Sequence, residues 1–352
     1  MENIPSRKIA SLQFLRAFAC LSVLYTHVLQ LLNIKPFGDY FIAGAYGVDL
    51  FFILSGFLIY LTTKNNDSYK SFAIKRIFRI FPLYWFCVIL FFLWEILNFS
   101  KEFTILNYIQ NFLMLPWNGK LTTSSLVVGV AWSTVYEVYF YTAFTLLLIF
   151  KLNKKYIIGL LILLFSIFKI IYKINLLGSN ENSTFLFLYS LIGFSHIVPF
   201  ILGILVAMLF QNPIIIKFLL NIKYKKLLFI AFHLVYFFIL VQKYNQLLSY
   251  SISILIFILW LIIDDIWKIN YNNSVNKFFI KIGDISYSIY LLHTLVLSII
   301  IDYFQLTNLA LTTVLAYVST IVLSLITYKY IEEPFINLSK KIIKSRGIKN
   351  QI

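Results

Sequence analysis

An arginine and a histidine stand eleven residues apart in SLQFLRAFACLSVLYTHVLQ, Arg16 and His27. In a helix that spacing is about three turns, so the two side chains fall within roughly 20° of one face, ~16 Å apart along the axis. Burying an ionisable group in hydrocarbon costs several kcal/mol, so such residues inside an apolar run point to function. The next apolar run, GAYGVDLFFILSGF, carries Asp49 at a depth close to that of His27, which allows an Asp49–His27 pair between successive antiparallel helices. A carboxylate beside an imidazole fixes its tautomer and favours its protonated form, as a general base acting on a hydroxyl requires. AWSTVYEVYFY sets Ser133, Glu137 and Tyr141 at four-residue spacing on one face, and Glu137 falls at a similar depth as a second candidate to orient His27.

On the expected cytoplasmic side, FAIKRIFRIFPLYW places Arg76 and Arg79 on adjacent turns of one face, with Lys75 beside them and Pro82 expected at the entry to the third span. Paired guanidinium forks suit phosphate oxygens. A basic clamp, Arg16 just inside it and a deeper histidine describe a slot for a long molecule with a phosphorylated head and a buried reactive tip, the shape of coenzyme A. Each residue also has a plainer reading. Arg16 can snorkel to the headgroups, the Arg76 and Arg79 pair can anchor to anionic lipid, Asp49 can bond backbone, and Glu137 can hold Arg16 or a tyrosine. His293, on a face with Ser286 and Tyr290, reads as a polar helix-packing cluster outside the catalytic set, and His196 and His233 read as structural.

The elements that must position these groups follow from composition. Across 352 residues, 61% are hydrophobic and 12% charged, with a mean hydropathy of +0.85, values outside any water-soluble class. Apolar runs of spanning length lie near 12–32, 43–62, 80–98, 130–150, 156–173, 190–210, 227–242, 247–263, 284–304 and 309–330. The expected fold is therefore all-α, a polytopic bundle of about ten transmembrane helices. With both termini cytoplasmic, 23 of the 30 Lys and Arg residues fall on inside segments and six outside, with Arg16 in a span. That asymmetry accounts for the formal charge of +16 through topology and inner-leaflet lipid, without a nucleic-acid partner. The two cysteines, Cys20 and Cys87, lie in apolar runs and read as reduced core residues.

RX10H at Arg16 and His27, GVDLFFILSGF, KRIFRIFPLYW, AWSTVYEVYFY, GDISYSIYLLH and YIEEPF occur in the order seen in acyltransferase family 3, which the chain resembles over roughly residues 9 to 335. The resemblance implies a transmembrane acyltransferase domain over 1–335 and a basic cytoplasmic tail over 336–352. It maps the family's catalytic and donor motifs onto Arg16 and His27, Arg76 and Arg79, and Trp132, Ser133 and Glu137. It also implies an O-acyltransferase of a bacterial inner or plasma membrane that moves an acyl group, acetyl above all, from acyl-CoA to a hydroxyl of a cell-surface or lipid-linked carbohydrate. Acyl-CoA is then a co-substrate, with no permanently bound cofactor and no metal. In that scheme His27 and either Asp49 or Glu137 are catalytic, Arg16, Arg76 and Arg79 hold the donor, and Trp132 and Ser133 meet the sugar. Some relatives carry an additional extracytoplasmic hydrolase-like domain; this chain stops at Ile352, so the acceptor is expected to reach the bundle directly. The rival reading is a transporter or flippase of a glycan or lipid-linked substrate, in which the buried charges form a path and no bond is made.

Overall fold

A computed structural model of the chain describes residues 10–33, 43–63, 68–99, 102–114, 126–153, 156–161, 163, 197–240, 246–262, 273–304 and 308–346. The apolar run at 156–173 and the histidine at 196 fall largely or wholly outside them. Among the described residues the structure is helical, with no strand. Four helical stretches among the described residues are long and apolar enough to cross a membrane: Ser11–Leu31, Tyr69–Phe99, Ser286–Phe304 and Leu309–Ser345. A fifth is reached if Ile197–Leu209 and Pro213–Leu219, bent by 99°, form one broken span. Helices are the expected solution, because every backbone N–H and C=O in hydrocarbon must be satisfied within the segment.

The chain divides into two compact units, residues 1–61 with 198–324, and residues 62–197 with 325–352. The first unit holds α1 (Ala10–Leu31), α2 (Ala43–Thr62), α6 (Ile197–Leu209), α7 (Pro213–Leu220), α8 (Lys225–Leu240), α9 (Gln246–Leu261), α10 (Ser274–Asp284), α11 (Ser286–Phe304) and α12 (Leu309–Thr327). Its centre is α1, which packs on α9, α10 and α11. Small residues set the close approaches, as expected where packing rather than water drives helix association. A Cβ on Gly283 would stand 2.2 Å from the Gln13 carbonyl oxygen, so α10 meets the start of α1 backbone to backbone. Gly56 and Gly203 form a reciprocal seam between α2 and α6, where added Cβ atoms would come within 2.1 Å of the Phe200 oxygen and 1.9 Å of the Ile53 oxygen.

That first seam fixes the direction of α11. Asn273 caps α10 by accepting from the Val275 N–H at 3.0 Å. The helix runs to Asp284, and after the single residue Ile285 the chain re-enters helix as α11. From the Gln13–Gly283 contact α11 runs parallel to α1, and Val28 closes the far end in a core with Val296, Leu297, Ile300 and Ala316. Tyr317 of α12 adds a tie by donating its hydroxyl to the Leu21 carbonyl at 2.7 Å.

The second unit contains α3 (Tyr69–Phe99), α4 (Ile105–Phe112), a 3-10 turn at Gly129–Ala131, α5 (Trp132–Ile149), a π turn at Tyr328–Glu332 and α13 (Glu333–Ser345). Here α3 is the common partner of α4, α5, the π turn and α13. The expectation for Pro82 needs correction. It does not begin the third helix but lies inside an uninterrupted 31-residue helix that begins at Tyr69. A proline forgoes its own N–H bond and crowds the carbonyl four residues earlier, yet the helix-forming KSFAIKRIFRIF before it supplies a nucleus long enough to carry the helix through. The basic stretch beyond Pro334 is helical to Ser345, with Phe335 against Phe78 of α3 at 6.3 Å between ring centroids.

Candidate active site

In the first unit α1 is long enough to carry both Arg16 and His27, and each is half-buried. The described hydrogen bond of His27 joins its Nδ1 to Nε2 of His293 at 2.8 Å. The rings stand 4.9 Å apart between centroids and are tilted by 32°. His293 is buried, with 1% of its surface exposed, and its Nδ1–H donates to the Ile289 carbonyl one turn earlier at 3.1 Å. Tyr290 packs its ring 5.9 Å from that of His293 and in turn meets Phe51 of α2.

Asp49 is fully buried on α2, yet it does not take the place expected for it beside His27. Gly47 shows why. A Cβ there would sit 2.8 Å from the Ala19 oxygen and 3.0 Å or less from Ser22 and Val23, so α2 crosses α1 at Ala19–Val23. For successive antiparallel spans, that register puts Asp49 level with about Ala19, roughly 12 Å along the axis from His27 at 1.5 Å per residue. Asp49 is therefore nearer in depth to Arg16, and its charge also acts on Tyr46 one turn before it.

A cavity of about 480 Å³ in this unit is lined mainly by aromatic rings, among them Phe14, Phe18, Tyr25, Trp260, Phe279 and Tyr317. On a helix of 3.6 residues per turn, Phe14, Phe18 and Tyr25 occupy the side of α1 opposite Arg16 and His27. This cavity is not the slot expected to join those two residues.

In the second unit the structure gathers the polar residues of α3 and α5. The Arg76 guanidinium carbon lies 4.7 Å from the centroid of the Tyr141 ring and 5.2 Å from that of Phe72, a double cation–π seat. Phe72 itself packs edge-on to Tyr141 and stacks on Phe144. The Tyr141 hydroxyl donates to Oε1 of Glu137, a short bond between residues four apart on one helix face. The charge of Arg79, like that of Arg76, reaches the Tyr141 hydroxyl. Ser133 donates to the Val130 carbonyl at 3.3 Å, closing the turn that starts α5, and Trp132 stands edge-on to Tyr136. Glu332, in the π turn that packs on α3, is buried with 2% of its surface exposed.

Arg76, Arg79, Glu137 and Tyr141 thus form one cluster; four-residue spacing anticipated the Glu137–Tyr141 pair, but Glu137 was expected at the depth of His27 rather than beside the arginines of α3. His27 instead has a partner that local spacing did not reveal. The sequence signal for His293 was present in GDISYSIYLLH, where a histidine stands mid-span on a polar face, but that face suggested packing between helices rather than a bond to His27.

The family model for the acyltransferase domain matches residues 9–329. The chain belongs to the acyltransferase domain family, acyltransferase family 3. It is 27% identical over 370 residues to a protein of Staphylococcus aureus (strain COL) named "Putative O-acetyltransferase SACOL0978", covering 94% of this chain and 57% of that protein. A shorter stretch of 103 residues is 37% identical to "Putative acetyltransferase ORF330" of Acidianus two-tailed virus, covering 29% of this chain and 30% of the viral protein. The chain therefore matches less than two thirds of the length of either relative. No solved structure matches it. Family membership and the apolar helices together make it an integral membrane protein.

Proposed function

We propose that the chain is a membrane O-acyltransferase that moves an acetyl group from acetyl-CoA to a hydroxyl of a cell-surface or lipid-linked carbohydrate. The single observation that carries the reading is a histidine of the family's RX10H motif, set in an apolar helix and held at one ring nitrogen by a second buried imidazole. An imidazole so held suits proton removal from a hydroxyl. As the hydroxyl oxygen attacks the thioester carbonyl, His27 takes the hydroxyl proton. The new O–C bond forms, the C–S bond breaks, and the proton passes to the departing thiolate to give free coenzyme A.

Donor binding goes to Arg76 and Arg79, whose guanidinium forks match phosphate oxygens, with Arg16 holding the donor's upper arm. Glu137 grips Tyr141, whose ring lies under Arg76. Its role in this reading is to steady the donor clamp rather than to orient His27. Trp132 offers an apolar platform for the sugar ring, and Ser133 lies beside it.

The reading places ten spans in a bacterial inner or plasma membrane with both termini in the cytoplasm. Lysine and arginine asymmetry supports this. So does the parallel course of α1 and α11, the first and ninth of the ten apolar runs, since two odd-numbered spans cross in the same direction. The test is thiol release by the purified protein. Release from acetyl-CoA that depends on a glycan acceptor, and an acceptor mass gain that mild alkali removes, support acyl transfer. Movement of the glycan across proteoliposomes without thiol release would favour transport.

A further inference from the structure

We infer that His293 is a positioning residue that holds His27 in the one neutral tautomer able to act as a base through Nε2. The inference rests on the acyl-transfer reading for its purpose, but its geometry stands independently.

The direction of each bond follows from what the end of the chain can do. A peptide carbonyl has no proton to give, so the 3.1 Å contact between His293 Nδ1 and the Ile289 oxygen requires an N–H on that nitrogen. A neutral imidazole carries a single N–H, so Nε2 of His293 then presents a lone pair. That lone pair faces Nδ1 of His27 at 2.8 Å, and two lone pairs cannot share a hydrogen bond, so His27 Nδ1 carries the proton. The remaining nitrogen of His27, Nε2, then keeps its lone pair for chemistry. With His293 removed, nothing at Nδ1 would enforce this choice.

Both rings belong to the neutral state in this arrangement. The described partners of His27 and His293 are each other, a backbone carbonyl and the Tyr290 ring, with no carboxylate among them. A carboxylate would favour an imidazolium, whose two N–H groups leave no lone pair to act as a base. An imidazole partner delivers the same geometric control while leaving the base uncharged until it accepts a proton. His293 never meets the substrate in this scheme. It accepts the His27 Nδ1–H before, during and after proton transfer, and so stabilises the transient imidazolium through the same bond.

The chain has four histidines, few enough to resolve each ring in full-length protein labelled with 15N-histidine in detergent micelles. Two-bond proton–nitrogen correlations distinguish an Nδ1–H ring, an Nε2–H ring and an imidazolium, and His27→Ala identifies the signal of that residue. The expected result is a neutral Nδ1–H tautomer for His27 in the wild type, shifting toward Nε2–H in His293→Leu. A wild-type His27 found as the Nε2–H tautomer or as an imidazolium overturns the inference, and that measurement needs no variant that folds poorly. Kinetics supply the second arm. His293→Leu is expected to lower kcat by about 10²-fold with little change in KM, and His293→Gln, which can present an amide oxygen near the position of Nε2, is expected to recover most of that loss. Equal loss in both folded variants would overturn a role based on the acceptor atom. An inactive wild type with the expected tautomer would instead count against acyl transfer and leave the ring geometry standing.

Discussion

The guanidinium of Arg76 sits 4.7 Å above the ring of Tyr141, and the hydroxyl of that same ring is donated to Glu137. One aromatic residue therefore links the basic pair of α3 to the acidic residue of α5. Removing the ring should disturb the arginine more than removing the hydroxyl does. Tyr141→Phe is expected to change the KM for acetyl-CoA by no more than about twofold, whereas Tyr141→Ala raises it by about fivefold, the loss of roughly 1 kcal/mol of cation–π contact. Steady-state titration of the donor separates the two.

Arg76→Ala and Arg79→Ala should act on donor binding directly. At the proposed donor site each would remove a charge-assisted contact worth about 1.5 to 3 kcal/mol, so the KM for acetyl-CoA is expected to rise by ~10- to 150-fold. Donor lacking the 3′-phosphate should show a smaller penalty from these substitutions than intact acetyl-CoA. An identical penalty for both donors would mean that the arginines contact another part of the molecule.

His27 and Glu137 make opposite predictions. His27→Gln is expected to lower kcat by ~10²- to 10⁴-fold through loss of the general base. Glu137→Gln still accepts from the Tyr141 hydroxyl and should keep kcat within about tenfold. A Glu137→Gln variant as inactive as His27→Gln, with normal expression, would return Glu137 to the proton-transfer step.

The Gly56–Gly203 seam predicts a stability effect. Gly203→Ala drives a methyl into the Ile53 carbonyl, where the added Cβ would lie at 1.9 Å, and neither backbone can yield cheaply. The expected cost is at least 1 to 3 kcal/mol, with a lower unfolding midpoint in detergent. Gly159→Ala, where no atom lies within 4 Å of an added Cβ, should be neutral or slightly stabilising.

Topology is open to a labelling test. In a Cys20→Ser, Cys87→Ser background, single cysteines at Asn276 and Lys226 should react with impermeant maleimide only from the cytoplasmic side, and one at Asn308 only from the outside. Reaction of Asn276 and Asn308 from the same side would remove the ten-span order.

Hydropathy made most of the helices legible, because spanning length and apolar content are local properties. The described helices α1, α2 and α5 begin and end within a few residues of the runs read from sequence. The Glu137–Tyr141 bond was likewise within reach, since four-residue spacing on one helix is itself a contact rule. The partner of His27 was not, because it lies 266 residues away. Sequential helices suggested Asp49, but whether two depths match depends on the crossing register, and Gly47 sets that register through contacts with Ala19, Ser22 and Val23. Pro82 misled for a related reason. Its preference for a first turn is real, yet the residues before it already form helix, and a preference at one position does not end a segment that its neighbours sustain.

Under the proposed acyl transfer, the termination of the two-imidazole chain at Ile289 has an energetic consequence. Past that main-chain oxygen the described bonds offer no further exchangeable site, so a proton lifted from an acceptor hydroxyl has no conducting route onward through these rings. It must go back out the way it entered, onto the leaving sulfur. Acyl transfer built this way would be electroneutral, drawing nothing from the ion gradients that the surrounding bilayer maintains.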